Sequence, residues 1–158
     1  MRRLWTALGI VLLTAADQLL KWWARTALQS GRILRWDHLI ALRLVRNTGA
    51  AFSMFSAHTT LLSVITGLFL AAGLVLLFSG KIRATVLHIA LTMILAGGVG
   101  NWIERVWFGG VTDYIEPLFM QFAVFNFADI LITCGAGLLI VWLIADAVKS
   151  RREKKEQS

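Results

Sequence analysis

The sequence predicts an all-α polytopic membrane protein with four transmembrane helices, and three observations carry that expectation. Hydrophobic residues make up 58% of the 158 positions, and the 13 glycines raise the apolar share to about two thirds, well above the ~45–50% of soluble globular chains. Two long stretches, residues 59–80 and 84–103, contain no charged residue. Lysine and arginine crowd into short segments beside the apolar runs. At this length the chain is one domain, and four helices of ~20 residues would absorb about half of it. Disorder, collagen-like repeats and a disulfide scaffold are excluded by the same composition. Cys134 is the only cysteine, which rules out an internal disulfide and a zinc site built on several thiolates.

The first apolar run, Leu4 to Ala16, reaches a membrane-spanning length near Leu28 only by taking in Asp17, Lys21 and Arg25. With Arg2 and Arg3 in front, it also has the layout of a cleavable signal peptide. Three further spans and the charge pattern favour a retained helix. Residues 59–80 and 84–103 each cross ~30 Å of hydrocarbon at ~1.5 Å per residue. A fourth span starts near Phe125 and runs to Ala145, with Asp129 one turn inside its start.

Nine of the sixteen basic residues lie at Arg2 and Arg3, at Lys81 and Arg83, and from Lys149 to Lys155. Positive charge resists translocation, so these segments are expected in the cytoplasm together with both termini. The net charge of +7 therefore reads as topology, and no nucleic-acid partner is expected. Trp22, Trp23, Trp36, Trp102 and Trp107 fall near the opposite, outer boundary, where amphipathic rings prefer to sit. Two connections lie outside, one ending near His58 and one from Glu104 to Phe125. Within the first, Leu39 to Val45 reads as a short strand between the loop-like Ser30-Gly31 and a turn at Asn47-Thr48-Gly49. Residues 1–148 form one membrane-embedded domain, and 149–158 a charged cytoplasmic tail, solvated or disordered.

Ionisable groups at membrane depth are costly and therefore functional candidates. Asp113, in Gly109-Gly110-Val111-Thr112-Asp113-Tyr114, and Asp129, after Phe125-Asn126-Phe127-Ala128, fall at the same membrane face. Two carboxylates brought together share one proton, so that one acts as base towards water and the other as acid. The alternative makes Asp113 a turn residue and Asp129 a helix N-terminal acid stabilised by the dipole; spacing alone leaves both open. Asn101 and Arg105 stand four residues apart on one helical face beside Gly97, Gly98 and Gly100. Arg105 either holds a carboxylate or substrate carbonyl, or snorkels to the interface. Asp17 and Lys21 are an i, i+4 pair that neutralise one another. Ser53, Ser56 and Ser63 lack a nucleophile context, and His38, His58 and His88 have no metal-ligand spacing. His88 and Cys134 read as structural residues, with Cys134 packed in the fourth span.

Five ordered stretches resemble the lipoprotein signal peptidases, the signal peptidase II family of bacterial membrane aspartic peptidases. They are Asp17 to Lys21, Arg46 to Ser53, Gly97 to Arg105, Gly109 to Ile115, and Phe125 to Asp129. The resemblance implies that Asp113 and Asp129 are the catalytic pair. It further implies that Asn47, Asn101, Arg105 and Asn126 line the site, and that Asp17 and Lys21 give structural support. A small extracytoplasmic β-cradle is implied after the first span, agreeing with the strand at Leu39 to Val45. The implied substrate is a prolipoprotein already carrying diacylglycerol on its lipobox cysteine, cut just before that cysteine. The implied setting is the bacterial inner membrane, with membrane lipids as the other partner, the protein a monomer, and no cofactor or metal. Glu104 stands where the family usually has aspartate, and Thr112 and Tyr114 where it more often has valine and phenylalanine. A small proton-coupled transporter working through Asp129, and a non-enzymatic membrane scaffold, are the readings from other classes.

Overall fold

The computed structural model describes residues 2–49 and 59–156. Its helices are α1 (Arg2–Ala27), α2 (Thr59–Phe78), α3 (Thr85–Phe108) and α4 (Phe127–Glu156), and its strands β1 (Leu34–Trp36), β2 (Ile40–Asn47) and β3 (Val111–Pro117). All four helices are long and apolar enough to cross a membrane. The Ala50 to Ser53 part of the second motif, with Ser56 and His58, lies outside the described residues.

Helix α1 shows why its sequence looked ambiguous. Its buried residues are Thr6, Ile10, Thr14, Asp17, Lys21 and Ala24, a stripe at three- and four-residue spacing. The polar groups face inward, while Leu8, Val11, Leu12 and Leu19 face outward. Inward polar groups need partners, because hydrocarbon supplies none. Thr14 donates its hydroxyl to the Ala96 carbonyl (3.1 Å), and Gln18 donates to the Gly100 carbonyl (3.0 Å).

Helix α3 is central and packs against α1, α2 and α4. Small residues make those approaches close: a Cβ on Gly97 would collide with the Ala128 carbonyl of α4, and one on Gly100 with the Asp17 carboxylate of α1. Leu70, Leu77, Leu95 and Leu131 form the main apolar cluster between the helices. His88 meets Thr6 through Nε2 (2.7 Å), which gives it the structural place expected of it. Helix α3 continues to Phe108, so Glu104, expected at the start of a loop, is helical. It ends at Gly109, whose left-handed φ of 67° lets its N–H reach the Arg105 carbonyl (3.1 Å).

The strands form an antiparallel sheet in the order β1-β2-β3. The expected strand is β2, extended to Asn47; β1 and β3 were not foreseen. Asp113 is therefore a strand residue, paired opposite Val45, and the turn reading of it is corrected. Buried Ala24, Leu28 and Tyr114, with Leu34, Leu42 and Ile115, dock the sheet on the end of α1. The tail read as solvated or disordered continues α4 as exposed helix to Glu156.

Candidate active site

Three backbone features bring the two carboxylates together. Pairing of β2 with β3 sets Asn47 opposite Val111, diagonal to Asp113 on the same face. An isolated bridge between Ile115 and Phe125 lays the segment before α4 alongside β3, with Ile115 donating to the Phe125 carbonyl (2.8 Å) and Phe125 to that of Ile115 (3.0 Å). At the start of α4, Asn126 and Asp129 form a reciprocal cap. The Asn126 side-chain oxygen accepts from the Asp129 N–H (3.1 Å), and Asp129 Oδ2 accepts from the Asn126 N–H (3.1 Å).

Asn126 also reaches across the site. Its Nδ2 donates to Asp113 Oδ1 (2.7 Å) and to Asn101 Oδ1 (3.2 Å). Asp113 Oδ2 accepts from Asn47 Nδ2 (3.0 Å), while Asn47 Oδ1 accepts from the Gly49 N–H (3.0 Å) in the expected turn. Asp129 Oδ1 accepts from Asn101 Nδ2 (2.8 Å). Each carboxylate thus accepts two N–H donors, one on each oxygen, and Asn126 touches both.

Burial is the chief cause that pushes the Asp113 carboxyl up to about 6 from its ordinary 3.8; the Asn126 and Asn47 hydrogen bonds oppose it, and the Asp129 charge reinforces it. Tyr114 beside it is buried, which pushes its phenol up to about 12 and keeps it neutral near neutral pH.

Both aspartates, with Asn47, Asn101 and Arg105, line a cavity of about 460 Å³, whose apolar wall includes Val111, Phe125, Ile130 and Ile132. Arg105 Nη2 donates to the Gly49 carbonyl (3.2 Å), and the charge feels the fields of Asp113 and Asp129. It lines the cavity. Asn126 is fully buried behind it. Cys134 is exposed on the cavity side of α4, which corrects the reading of it as a packing residue.

Asp17 and Lys21 pair at 2.8 Å with no exposure, as expected, but their reach is longer than mutual neutralisation. Lys21 Nζ donates to Asn101 Oδ1 (2.7 Å), and Asp17 Oδ1 accepts from the Ala128 N–H (3.0 Å). Sequence reasoning missed Arg25 and left Glu104 without a role. The signal for Arg25 was the Asp17, Lys21, Arg25 spacing of four, which puts three charges on one face of an otherwise apolar helix, though not what Arg25 meets.

The sequence model of the family described as signal peptidase (SPase) II matches residues 9–145. The chain belongs to the signal peptidase II family. A lipoprotein signal peptidase of Lactococcus lactis subsp. lactis (strain IL1403) is 34% identical over 147 residues, 92% of this chain and 97% of the relative. A lipoprotein signal peptidase of Streptococcus agalactiae serotype Ia is 33% identical over 144 residues, 90% of this chain and 94% of that one. A bacterial membrane enzyme solved by the in meso method at 2.3 Å resolution superposes with a TM-score of 0.83, at 29% identity over 90% of this chain and 88% of that one. This signal peptidase II family member is therefore a multi-pass bacterial membrane protein of a peptidase family, and its four helices and three-stranded sheet agree with the expected fold class.

Proposed function

We propose that this protein is an aspartic endopeptidase that removes the signal peptide from diacylglyceryl-modified prolipoproteins, cutting just before the lipidated lipobox cysteine. The observation that carries the reading is Asn126, which donates to Asp113 through its side chain and to Asp129 through its backbone, behind the wall of one mostly apolar cavity that both aspartates line. Asp113, pushed up by burial, is the partner suited to hold a proton, and half-buried Asp129 the one suited to act as base. Asp129 takes a proton from water as its oxygen attacks the scissile carbonyl carbon, and Asp113 gives its proton to the carbonyl oxygen. Asp129 then passes that proton to the amide nitrogen while Asp113 takes one back from a gem-diol hydroxyl, so that the C–N bond breaks to leave a carboxylic acid and an amine and the pair returns to its starting state. Asn47, Asn101 and Asn126 hold the carboxylates, and Arg105 is placed to receive the peptide backbone. Apolar Phe125, Ile130 and Ile132 suit a signal sequence or acyl chain better than water. No cofactor enters these steps.

In this reading residues 1–148 are the membrane-embedded peptidase domain and 149–158 a cytoplasmic tail. The crowding of nine of sixteen basic residues supports cytoplasmic termini and a site near the outer face. The protein works as a monomer among membrane lipids.

The test is incubation of purified protein with a diacylglyceryl-modified prolipoprotein, with mass analysis of the products. A single cut before the modified cysteine is expected. Asp113→Asn and Asp129→Asn should each bind substrate without cutting it, and the double variant should be little worse than either, because the pair acts as a unit. Substantial cleavage by either folded single variant refutes the aspartic mechanism.

A further inference from the structure

We propose that Glu104, held by Arg25, is a positioning residue for Asp113, and that α1 thereby sets the separation of the two candidate catalytic carboxylates; this rests on the aspartic reading above. Glu104 is fully buried on α3. Its Oε2 accepts from the Thr112 backbone N–H (2.6 Å), and its Oε1 accepts from the Thr112 hydroxyl (2.9 Å). Both oxygens of one buried carboxylate are thus committed to the residue immediately before Asp113. Arg25 pairs with Oε1 and also donates to Thr112 Oγ1 (3.2 Å), while Lys21 Nζ lies 3.9 Å from Oε2. Burying a carboxylate costs several kcal/mol unless cations and hydrogen bonds offset it, and here both are supplied.

The other carboxylate is held from the same helix. Lys21 orients Asn101, which donates to Asp129 Oδ1 (2.8 Å), and Asp17 grips the Ala128 N–H next to Asp129 (3.0 Å). Asp17, Lys21 and Arg25 are successive i, i+4 positions on a rigid helix, about 12 Å from first to last. Among the described residues, none from α1 lines the cavity. Beside the apolar packing of Ala24 and Leu28 on Tyr114, helix α1 reaches the site through two polar arms: Asp17 and Lys21 to Asp129, and Arg25 with Glu104 through Thr112 to Asp113. A group that only neutralised buried cations would not need both oxygens on Thr112. A misplacement of about 1 Å in a reacting group can cost about 100-fold in rate, so the grip has a kinetic consequence.

The experiment measures kcat, KM and thermal midpoint for Glu104→Gln, Glu104→Asp and Thr112→Val, with Asp113→Asn alongside, on a diacylglyceryl-modified prolipoprotein well below every midpoint. Glu104→Gln should lose about 10- to 100-fold in kcat with KM within about twofold. Glu104→Asp keeps the charge but draws the carboxylate back by about 1.5 Å, one carbon–carbon bond, and should recover part of that turnover. Thr112→Val removes the hydroxyl arm while leaving the backbone bond and all charges, and should lower kcat several-fold. Unchanged kcat in Glu104→Gln and Thr112→Val, with Asp113→Asn inactive, overturns the positioning role and leaves the dyad standing. If Glu104→Gln does not fold, Thr112→Val decides by the same criterion. An active Asp113→Asn removes the dyad and the positioning role together.

Discussion

Asp113→Asn should change how the stability of the protein depends on pH, because the group it removes is a buried carboxyl. Burial holds Asp113 near about 6 against an ordinary 3.8. A group whose folded value is raised contributes stability that is fully present below the unfolded value and is lost as pH rises through the folded one. The gap of about 2 pH units corresponds to about 3 kcal/mol in full, of which roughly half falls between pH 8 and pH 5. The wild-type protein should therefore gain on the order of 1 kcal/mol from this group on going from pH 8 to pH 5, and Asp113→Asn should not. Reversible unfolding in detergent micelles, measured for both proteins at the two pH values, isolates the term as a difference of differences. Carboxylates and histidines away from the pair titrate alike in both proteins and cancel. An equal pH 8 to pH 5 change in the two proteins would refute burial as the dominant influence on Asp113. It would also remove the reason for assigning the resting proton to that residue.

Arg105→Lys keeps the charge but loses the planar fork that reaches the Gly49 carbonyl, so cleavage should weaken about 10-fold or more with folding intact; normal turnover would reduce Arg105 to an interface anchor. Gly100→Ala places a methyl against the buried Asp17 carboxylate and should cost about 1–3 kcal/mol in the same unfolding assay, whereas a neutral effect would mean that α1 can move away from α3. Cys134 lies at the cavity wall, so its labelling by a small thiol reagent should slow when a peptide substrate is bound, and unchanged kinetics would place the substrate elsewhere. In a Cys134→Ser background, a thiol at Trp36 should react from outside intact cells and one at Arg83 should not; the reverse result overturns the proposed orientation.

What the sequence determined by itself was the set of helices and the residues proposed to carry the chemistry. Charge-free runs of some twenty residues have few stable forms other than a membrane helix, because hydrocarbon leaves backbone groups no partner outside the segment. For the same reason Asp113, Asp129, Asn101 and Arg105 stand out, while Asn47 and Asn126 came only from the family resemblance; all but Asn126, which is buried behind it, line one cavity. Tertiary structure alone decided the rest. Strand β1 has only three residues, too few to show a period, and β3 pairs with β2 across 60 or more residues, so neither was visible as a local pattern. Glu104 and Arg25 carried no readable role, because a charge on a helix has no visible partner until helices pack. Burial of Asp113 and exposure of Cys134 are likewise properties of packing: Asp113 sits in mixed sequence and Cys134 in an almost uniformly apolar run, and which side of a strand or helix meets the bundle is settled by neighbours distant in the chain.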